Sequence, residues 1–412
     1  MFRLLRSNAD LRALFVAQVI SFAGDWFSFV AITGMVKDGT DSPFLVSLAY
    51  VMFSLPSFLA SPIAGPVVDR FDRRRLLLMV SAVQVLAASG LLFGSPDRVW
   101  PLFVFQATIS ALAAFVKPAI DAGVPNLART PDELRTANAL FGSTWGVMLA
   151  VGAAAGGAFS EAFGRQAAFI ANAISFALAL ALFALVRRPM QEPQHAHRSA
   201  MRPLSDMAEA MRYARKDRVV LALIASKSTF AIGAGTVSQL PVLATDVFGW
   251  KDGGTGLLLG ARGLGAGLGP LIAARFTRGR VAMVLRICGL SGLAFSVCYL
   301  VAGWAPVIFI AAAMIAVAHL GGGAQWTLST YGLQLRTPDR IRGRVMAGDY
   351  AIVTLVMSLT GLGAGAMSEG AGVQWTITTF AGAAAVAGAF YLAWIQPVIR
   401  HLEAEERQPV TV

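Results

Sequence analysis

Charge is what this sequence has least of. Only 14% of its 412 residues are Asp, Glu, Lys or Arg, where a soluble domain carries about 25%. With 56% hydrophobic residues and a mean hydropathy of +0.64, an ordinary water-soluble fold is excluded and the expected solvent is lipid. Cysteine is nearly absent. Cys288 and Cys298 lie on one proposed helix, about 15 Å apart at 1.5 Å rise per residue, too far for a disulfide. They read as apolar filler. The four histidines form no group with Cys or carboxylates at metal-ligand spacing, so no metal is expected. There is no nucleophile–base set and no phosphate-binding loop, so neither an enzyme nor a cofactor is expected. The net charge of +11 is better explained by membrane topology than by nucleic acid.

What is present is a series of long apolar runs. A span needs roughly 20 mostly apolar residues. Twelve segments qualify, numbered here as spans 1–12: 11–36, 43–67, 76–94, 99–120, 136–158, 165–186, 219–244, 254–276, 281–303, 305–330, 345–368 and 374–396. In hydrocarbon each backbone polar group must pair within its own segment, so these are helices. The first run is too long for a cleavable leader and another follows it at once. With the N-terminus inside, cytoplasmic segments hold roughly 26 of the Lys and Arg residues, as the positive-inside rule requires. Outer loops hold Lys37, Arg98, Arg165 and Lys251. Both termini are then cytoplasmic. Arginine greatly outnumbers lysine, a hint of a GC-rich bacterium.

The longest polar stretch, 187–218, divides the spans six and six. Its first part reads as a flexible linker. Its second part, "LSDMAEAMRYARKD", places Leu204, Met207, Met211 and Ala214 on one helical face, with Ser205 or Asp206 as a cap. It is expected to lie on the inner membrane surface or to serve as a shielded connector. The expected organisation is a first bundle (1–186), the linker (187–218), a second bundle (219–396) and a tail (397–412). The halves repeat. "GPVVDRFDRRR" from Gly65 matches "GPLIAARFTRGR" from Gly269 with one inserted residue, and "RTPDELR" from Arg129 matches "RTPDRIR" from Arg336. The offsets of 204 and 207 residues indicate a parallel repeat.

The first loop carries a resemblance. Gly65, Asp69, Arg70, Arg73 and Arg74 fit the signature G-x-x-x-D-R-x-G-R-R of the major facilitator superfamily, with Asp72 in place of the second glycine. Residues 117–140, residues 335–347 and the "GDWF" of Gly24–Phe27 resemble its bacterial branch of macrolide-efflux and enterobactin-exporter-like proteins. The resemblance covers essentially the whole chain. It implies an all-α integral membrane protein whose twelve transmembrane helices form two six-helix bundles around a central cavity. It implies alternating access, with Asp69 facing the start of span 11 as a gate, where the helix dipole favours a carboxylate. Thr337 would cap that helix, with Pro338 in its first turn. Two patterns of proton-coupled drug exporters are altered. Phe103 stands where span 4 would carry arginine, and Ala153 where span 5 would carry proline.

Ionisable groups inside spans are functional candidates by default. Asp25 lies roughly 21 Å along span 1. Lys227 and Arg262 lie in spans 7 and 8. The resemblance implies that spans 1 and 7 line the cavity. Asp25 is the preferred proton carrier; a fixed ion pair with Lys227 or Arg262, or a carboxylate reaching water at the outer mouth, stays open. Asp349 is expected to pair with Arg342 and Arg344, and His319 to be a packing residue. Gln18, Trp26, Gln106, Asn138, Trp145, Gln239, Gln325, Trp326 and Tyr331 are the candidate substrate-cavity residues. Glycine pairs four apart in spans 5, 8 and 11 are expected to let the bundles slide, and "GGGAQW" (321–326) to bend or break span 10. The expected function is export of amphipathic small molecules, drugs or siderophore-like metabolites, by proton antiport, from a monomer in the bacterial inner membrane. An importer, a lipid transporter and a non-transporting sensor are the alternatives.

Overall fold

A computed structural model describes residues 2–191, 211–277 and 280–407. Among these, twelve helices are long and apolar enough to cross a membrane. Spans 1–6 are Ala9–Thr40, Pro43–Arg70, Arg73–Gly90, Trp100–Leu127, Pro131–Phe163 and Arg165–Leu185. Span 7 runs from Arg218 to Val247. Spans 8–12 are Asp252–Thr277, Val281–Gly303, Ile308–Arg336, Asp339–Ala371 and Val373–Arg407. Span 9 keeps the bounds expected from hydropathy. Most others overrun them by several residues. Hydropathy marks the part of a helix that must sit in hydrocarbon, while backbone hydrogen bonding continues into water.

Local chemistry explains the starts. Asn8, Ser42, Asp72, Thr130 and Asp217 each place a side-chain oxygen on a free backbone N–H of the first turn, the ordinary N-cap arrangement. Pro43 and Pro131 occupy first-turn positions, where a missing N–H costs nothing. Span 11 differs from expectation. It starts at Asp339 after Pro338 and has no side-chain cap bond, so Thr337 lies outside the cap position. Two tight turns close the repeat. Gly164 joins spans 5 and 6 at φ 84°, and Gly372 joins spans 11 and 12 at φ 79°. Both need a backbone region that glycine enters freely, and they stand 208 residues apart, close to the offsets of 204 and 207 between the sequence repeats.

Contacts divide the chain into Met1–Met201 with Gly249–Gly260, and Arg202–Phe248 with Ala261–Val412. Inside the first unit, Leu11, Leu14, Leu77, Val124, Leu127 and Phe183 belong to one buried cluster. Inside the second, Val220, Leu223, Leu285, Leu333 and Ile395 belong to another. Lipid tails are as apolar as these side chains, so close van der Waals fit rather than exclusion of water holds such helices together. Of the linker, residues 192–210 lie outside the described residues, and with them Leu204, Ser205, Asp206 and Met207.

Span 10 is continuous, with no break at its three glycines. They are contact points instead. A Cβ on Gly323 would sit 2.3 Å from the Ala266 carbonyl oxygen of span 8, and one on Gly322 would press on Phe230. The interruption falls in span 7, which breaks into Arg218–Gly233, Gly235–Ser238 and Leu240–Val242 before one π turn at Leu243–Val247. Pro241 supplies no N–H there. Gly156 lies against Phe27 of span 1, and Gly269 against the Leu320 carbonyl of span 10. Each closes a helix pair inside its own unit.

Candidate functional site

The loop between spans 2 and 3 is built from its arginines. Arg73 donates from one guanidinium nitrogen to the carbonyls of Ala122 and Met190, each at 2.9 Å. Arg74 donates to the Ala184 carbonyl at 2.7 Å. These acceptors belong to the end of span 4, the end of span 6 and the segment after it, where cations are favoured by the helix dipole. Asp72, the departure from the superfamily signature, caps span 3 through Arg75 N–H at 2.8 Å. That substitution for glycine is therefore useful to the helix it precedes. Gly65 meets nothing within 4 Å of where a Cβ would stand, and Arg70 is exposed. The Asp69 side chain lies outside the described residues.

Nearby, the Thr130 hydroxyl accepts from Glu133 N–H at 3.2 Å, and Glu133 accepts from Arg129 N–H at 3.0 Å. This is a capping box shifted by one residue at its back end. Glu133 also accepts from Asn8 at 3.1 Å, and Arg129 donates to the Ser7 carbonyl at 2.7 Å. The start of span 1 is thereby tied to the start of span 5.

At the opposite end of this unit is a cluster that the sequence reading passed over. Arg165 holds Asp252 through two bonds, at 2.8 and 2.9 Å, and Asp38 through a third at 2.7 Å. Such a two-pronged pairing of guanidinium and carboxylate is strong and directional. Glu161 accepts from Gly253 N–H at 2.9 Å. Only the positive charge of Arg165 was legible beforehand, because Asp38 and Asp252 are distant in sequence.

Asp25 is half-buried in span 1. Its Oδ1 is closed off from solvent and has no hydrogen-bond partner among the described residues. Its neighbours in the chain are all engaged. Gly24 fits against Ser175 and Asn172 of span 6 so closely that a Cβ would fall 2.1 Å from the Ser175 hydroxyl. Trp26 is buried against Phe29 and Phe53, with ring centroids at 5.5 and 5.2 Å. Phe27 packs on Phe159 at 5.2 Å. The "GDWF" segment is thus a packing knot of spans 1, 2, 5 and 6 that leaves one carboxyl oxygen unsatisfied.

In the second unit the structure assembles a different site. Lys227 and Asp349 are both about 3% exposed and form an ion pair. Lys227 also donates to the Thr330 hydroxyl at 2.9 Å and lies over the Trp326 ring, 5.3 Å from its centroid. Trp326 meets Tyr350 edge-on at 6.4 Å. Asp349 therefore takes its cation from span 7, where the sequence pointed to Arg342 and Arg344. The pairing joins residues 122 apart, and local spacing gave no sign of it. What could have found it is a tally of deep charges by half: Asp349 is the carboxylate available to the two buried cations of the second half. Arg262, the other cation, is 7% exposed, and its Nε has no hydrogen-bond partner among the described residues.

The remaining candidates separate by role. Gln18 donates to the Phe141 carbonyl at 3.2 Å, linking spans 1 and 5. Gln325 donates to the Ser226 carbonyl and to the Thr229 hydroxyl, linking spans 10 and 7. His319 is buried with the Tyr299 hydroxyl 2.9 Å from its Nε2 and edge-on to Phe230 and Phe295. Gln106 is buried on span 4, and Gln239 is buried at the break in span 7. Asn138, Trp145 and Tyr331 are exposed. Cys288 and Cys298 are free thiols. Among the described residues no three His, Cys, Asp or Glu side chains are grouped to hold a metal ion.

Residues 5–411 match the family model described as Transmembrane secretion effector. The chain is 24% identical over 386 residues to the uncharacterized MFS-type transporter YfiS of Bacillus subtilis, covering 90% of this chain and 89% of that one. It is 26% identical over 380 residues to the multidrug efflux pump Tap of Mycobacterium tuberculosis, covering 89% and 88%. Among solved structures it is similar to a bacterial homologue of the human lysosomal transporter Spinster in an inward-facing, unoccupied conformation. The TM-score is 0.76 at 16% identity, covering 97% and 98% of the two chains. A POT family transporter bound to 5-aminolevulinic acid gives 0.76 at 12% identity, covering 95% and 97%. At such identities the structural likeness speaks to fold alone. That fold is the twelve-helix architecture of major facilitator transporters.

Proposed function

We propose that this chain, which belongs to the transmembrane secretion effector family of the major facilitator superfamily, exports amphipathic small molecules by alternating access in exchange for protons. The family is one of transporters rather than enzymes, and the chain is a multi-pass membrane protein that carries small molecules. The finer reading is ours. It places the protein as a monomer in the bacterial inner membrane with both termini cytoplasmic, and it makes the two six-helix bundles, 1–186 and 219–396, the moving bodies.

One observation carries the coupling assignment: among the described residues Asp25 has no ion-pair partner, and its buried Oδ1 has no hydrogen-bond partner. Desolvation disfavours the charged form of a carboxyl group. A carboxyl without a fixed cation therefore responds to access by water and to arriving cationic substrate. Lys227 and Asp349 already neutralise one another, so the second bundle can bear this charge in the membrane without gaining or losing a proton. The efflux relative and the aromatic residues that follow Asp25 in the chain, Trp26 and Phe27, support an amphipathic substrate. In this reading Asp69 is the gating carboxylate of the span 2–3 loop. Arg73 and Arg74 keep that loop in place.

The test uses proteoliposomes loaded with fluorescent amphipathic cations. An imposed pH gradient should drive their movement through the native protein, and Asp25→Asn should abolish that drive at normal reconstitution. Movement indifferent to the gradient in both proteins would reject antiport.

A further inference from the structure

The second unit has a groove of about 630 Å³ among spans 8, 9 and 10. Its inner wall is made of small residues, Gly269, Ala273, Gly321, Ala324 and Ser291, and its flanks of Ile272, Phe276, Met283, Ile287 and Leu320. Arg275 and Arg280 stand at one end. Both arginines are exposed. Neither side chain forms an ion pair or hydrogen bond among the described residues. Arg286, six residues further along span 9, is by contrast paired with Glu403 at 2.7 Å. The protein thus neutralises a neighbouring arginine and leaves these two open.

The dimensions fit one occupant. From Arg280 to Ser291 is eleven residues of helix, about 16 Å at 1.5 Å per residue. That is close to one leaflet, half of a hydrocarbon core about 30 Å thick. Arg280 immediately precedes span 9, and Ser291 lies near that helix's middle. The wall is apolar throughout except for Ser291, so a solvated anion fits only at the mouth, while a chain of methylenes fits the remainder.

We propose that this groove is a binding site for an anionic phospholipid, with one acyl chain along the glycine-lined wall and the phosphate between Arg275 and Arg280. Two guanidiniums without acceptors are complementary to a phosphodiester, to which arginine donates in a fork. Anionic lipids are concentrated in the cytoplasmic leaflet, the side to which the arginine-rich loops are assigned. The site is separate from the buried Lys227–Asp349 pair and does not depend on the proposed proton exchange.

The full-length protein in nanodiscs of mixed phosphatidylglycerol and phosphatidylcholine would be released and the retained lipid identified by native mass spectrometry. Retention of one phosphatidylglycerol in preference to phosphatidylcholine is expected. Each arginine is worth about fivefold near an anionic surface, so Arg275→Gln with Arg280→Gln should lower that preference about thirtyfold. Arg286→Gln should leave it unchanged. Ile287→Trp, which fills the apolar part and keeps both charges, should reduce retention of either lipid. Should the double variant fail to assemble, Arg280→Gln alone, on an exposed side chain, should lose about fivefold. Equal retention of the two lipids by native protein would overturn the proposal, as would equal preference in the native, double and Arg286→Gln proteins. Displacement of the lipid by an amphipathic cation with no loss in the arginine variants would make the groove a substrate site and equally overturn it.

Discussion

In the first half of the repeat, Arg73 and Arg74 reach the carbonyls of Ala122, Met190 and Ala184. In the second half, the loop that copies the same Gly-Pro and Arg-Phe pattern holds Arg275 and Arg280 open at the mouth of a groove. The shared Arg-Phe pattern aligns Arg275 and Arg280 with Arg70 and Arg75, which are likewise exposed, while the counterpart of Arg73 is Arg278, outside the described residues. The deep charges do diverge. One oxygen of Asp25 and one of Asp349 lack a hydrogen-bond partner among the described residues, but Asp349 pairs with Lys227 and Asp25 has no cation there. A positive-inside loop needs only the sign of its charge. A carboxyl inside a span is costly without a partner; Asp349 has one in Lys227, and Asp25 has no cation among the described residues.

The largest stability effect should come from separating the second half's pair. Lys227→Met leaves Asp349 buried without its cation and should cost about 3–5 kcal/mol, by the usual penalty for breaking a buried pair. Replacing both, Lys227→Met with Asp349→Leu, should recover most of that loss. Thermal unfolding in detergent reads both. If the single variant unfolds like native protein, the two halves do not differ as described.

Next comes the loop comparison. Arg73→Gln removes two charge-assisted hydrogen bonds and should cost about 2 kcal/mol. Arg275→Gln changes a surface charge and should stay within about 0.5 kcal/mol. Equal losses in unfolding midpoint would mean that the second loop is as fastened as the first. Smaller again is the capping asymmetry. Thr130→Ala should cost about 1 kcal/mol through loss of its cap. Thr337→Ala, one residue before the cap position of span 11, should lose no cap bond. Hydrogen exchange at the first turns of spans 5 and 11 distinguishes them.

Much of this architecture was legible beforehand, because a membrane demands uninterrupted apolar length and the positions of "GPVVDRFDRRR" and "RTPD" betray the duplication. Other features depend on partners that local sequence does not reveal. Three consecutive glycines looked like a weak point, yet Gly323 lies against the Ala266 carbonyl and the helix continues. The real break, in span 7, was signalled only by Gly233, Gly235 and Pro241 within an apolar run. Asp349 had arginines close by in sequence but takes a lysine 122 residues away. The Arg165 cluster was hidden for the same reason. The ends of spans 11 and 12 were misplaced because charged residues such as Arg344 and Glu403 can be helical outside the hydrocarbon.

The central claim is that Asp25 exchanges the coupling proton while the Lys227–Asp349 pair does not. Substrate added to protein reconstituted with a pH-sensitive dye measures this directly. Native protein should move protons with substrate, and Asp25→Asn should bind the substrate with no proton movement. Undiminished proton movement in Asp25→Asn, at equal protein content, would contradict the account.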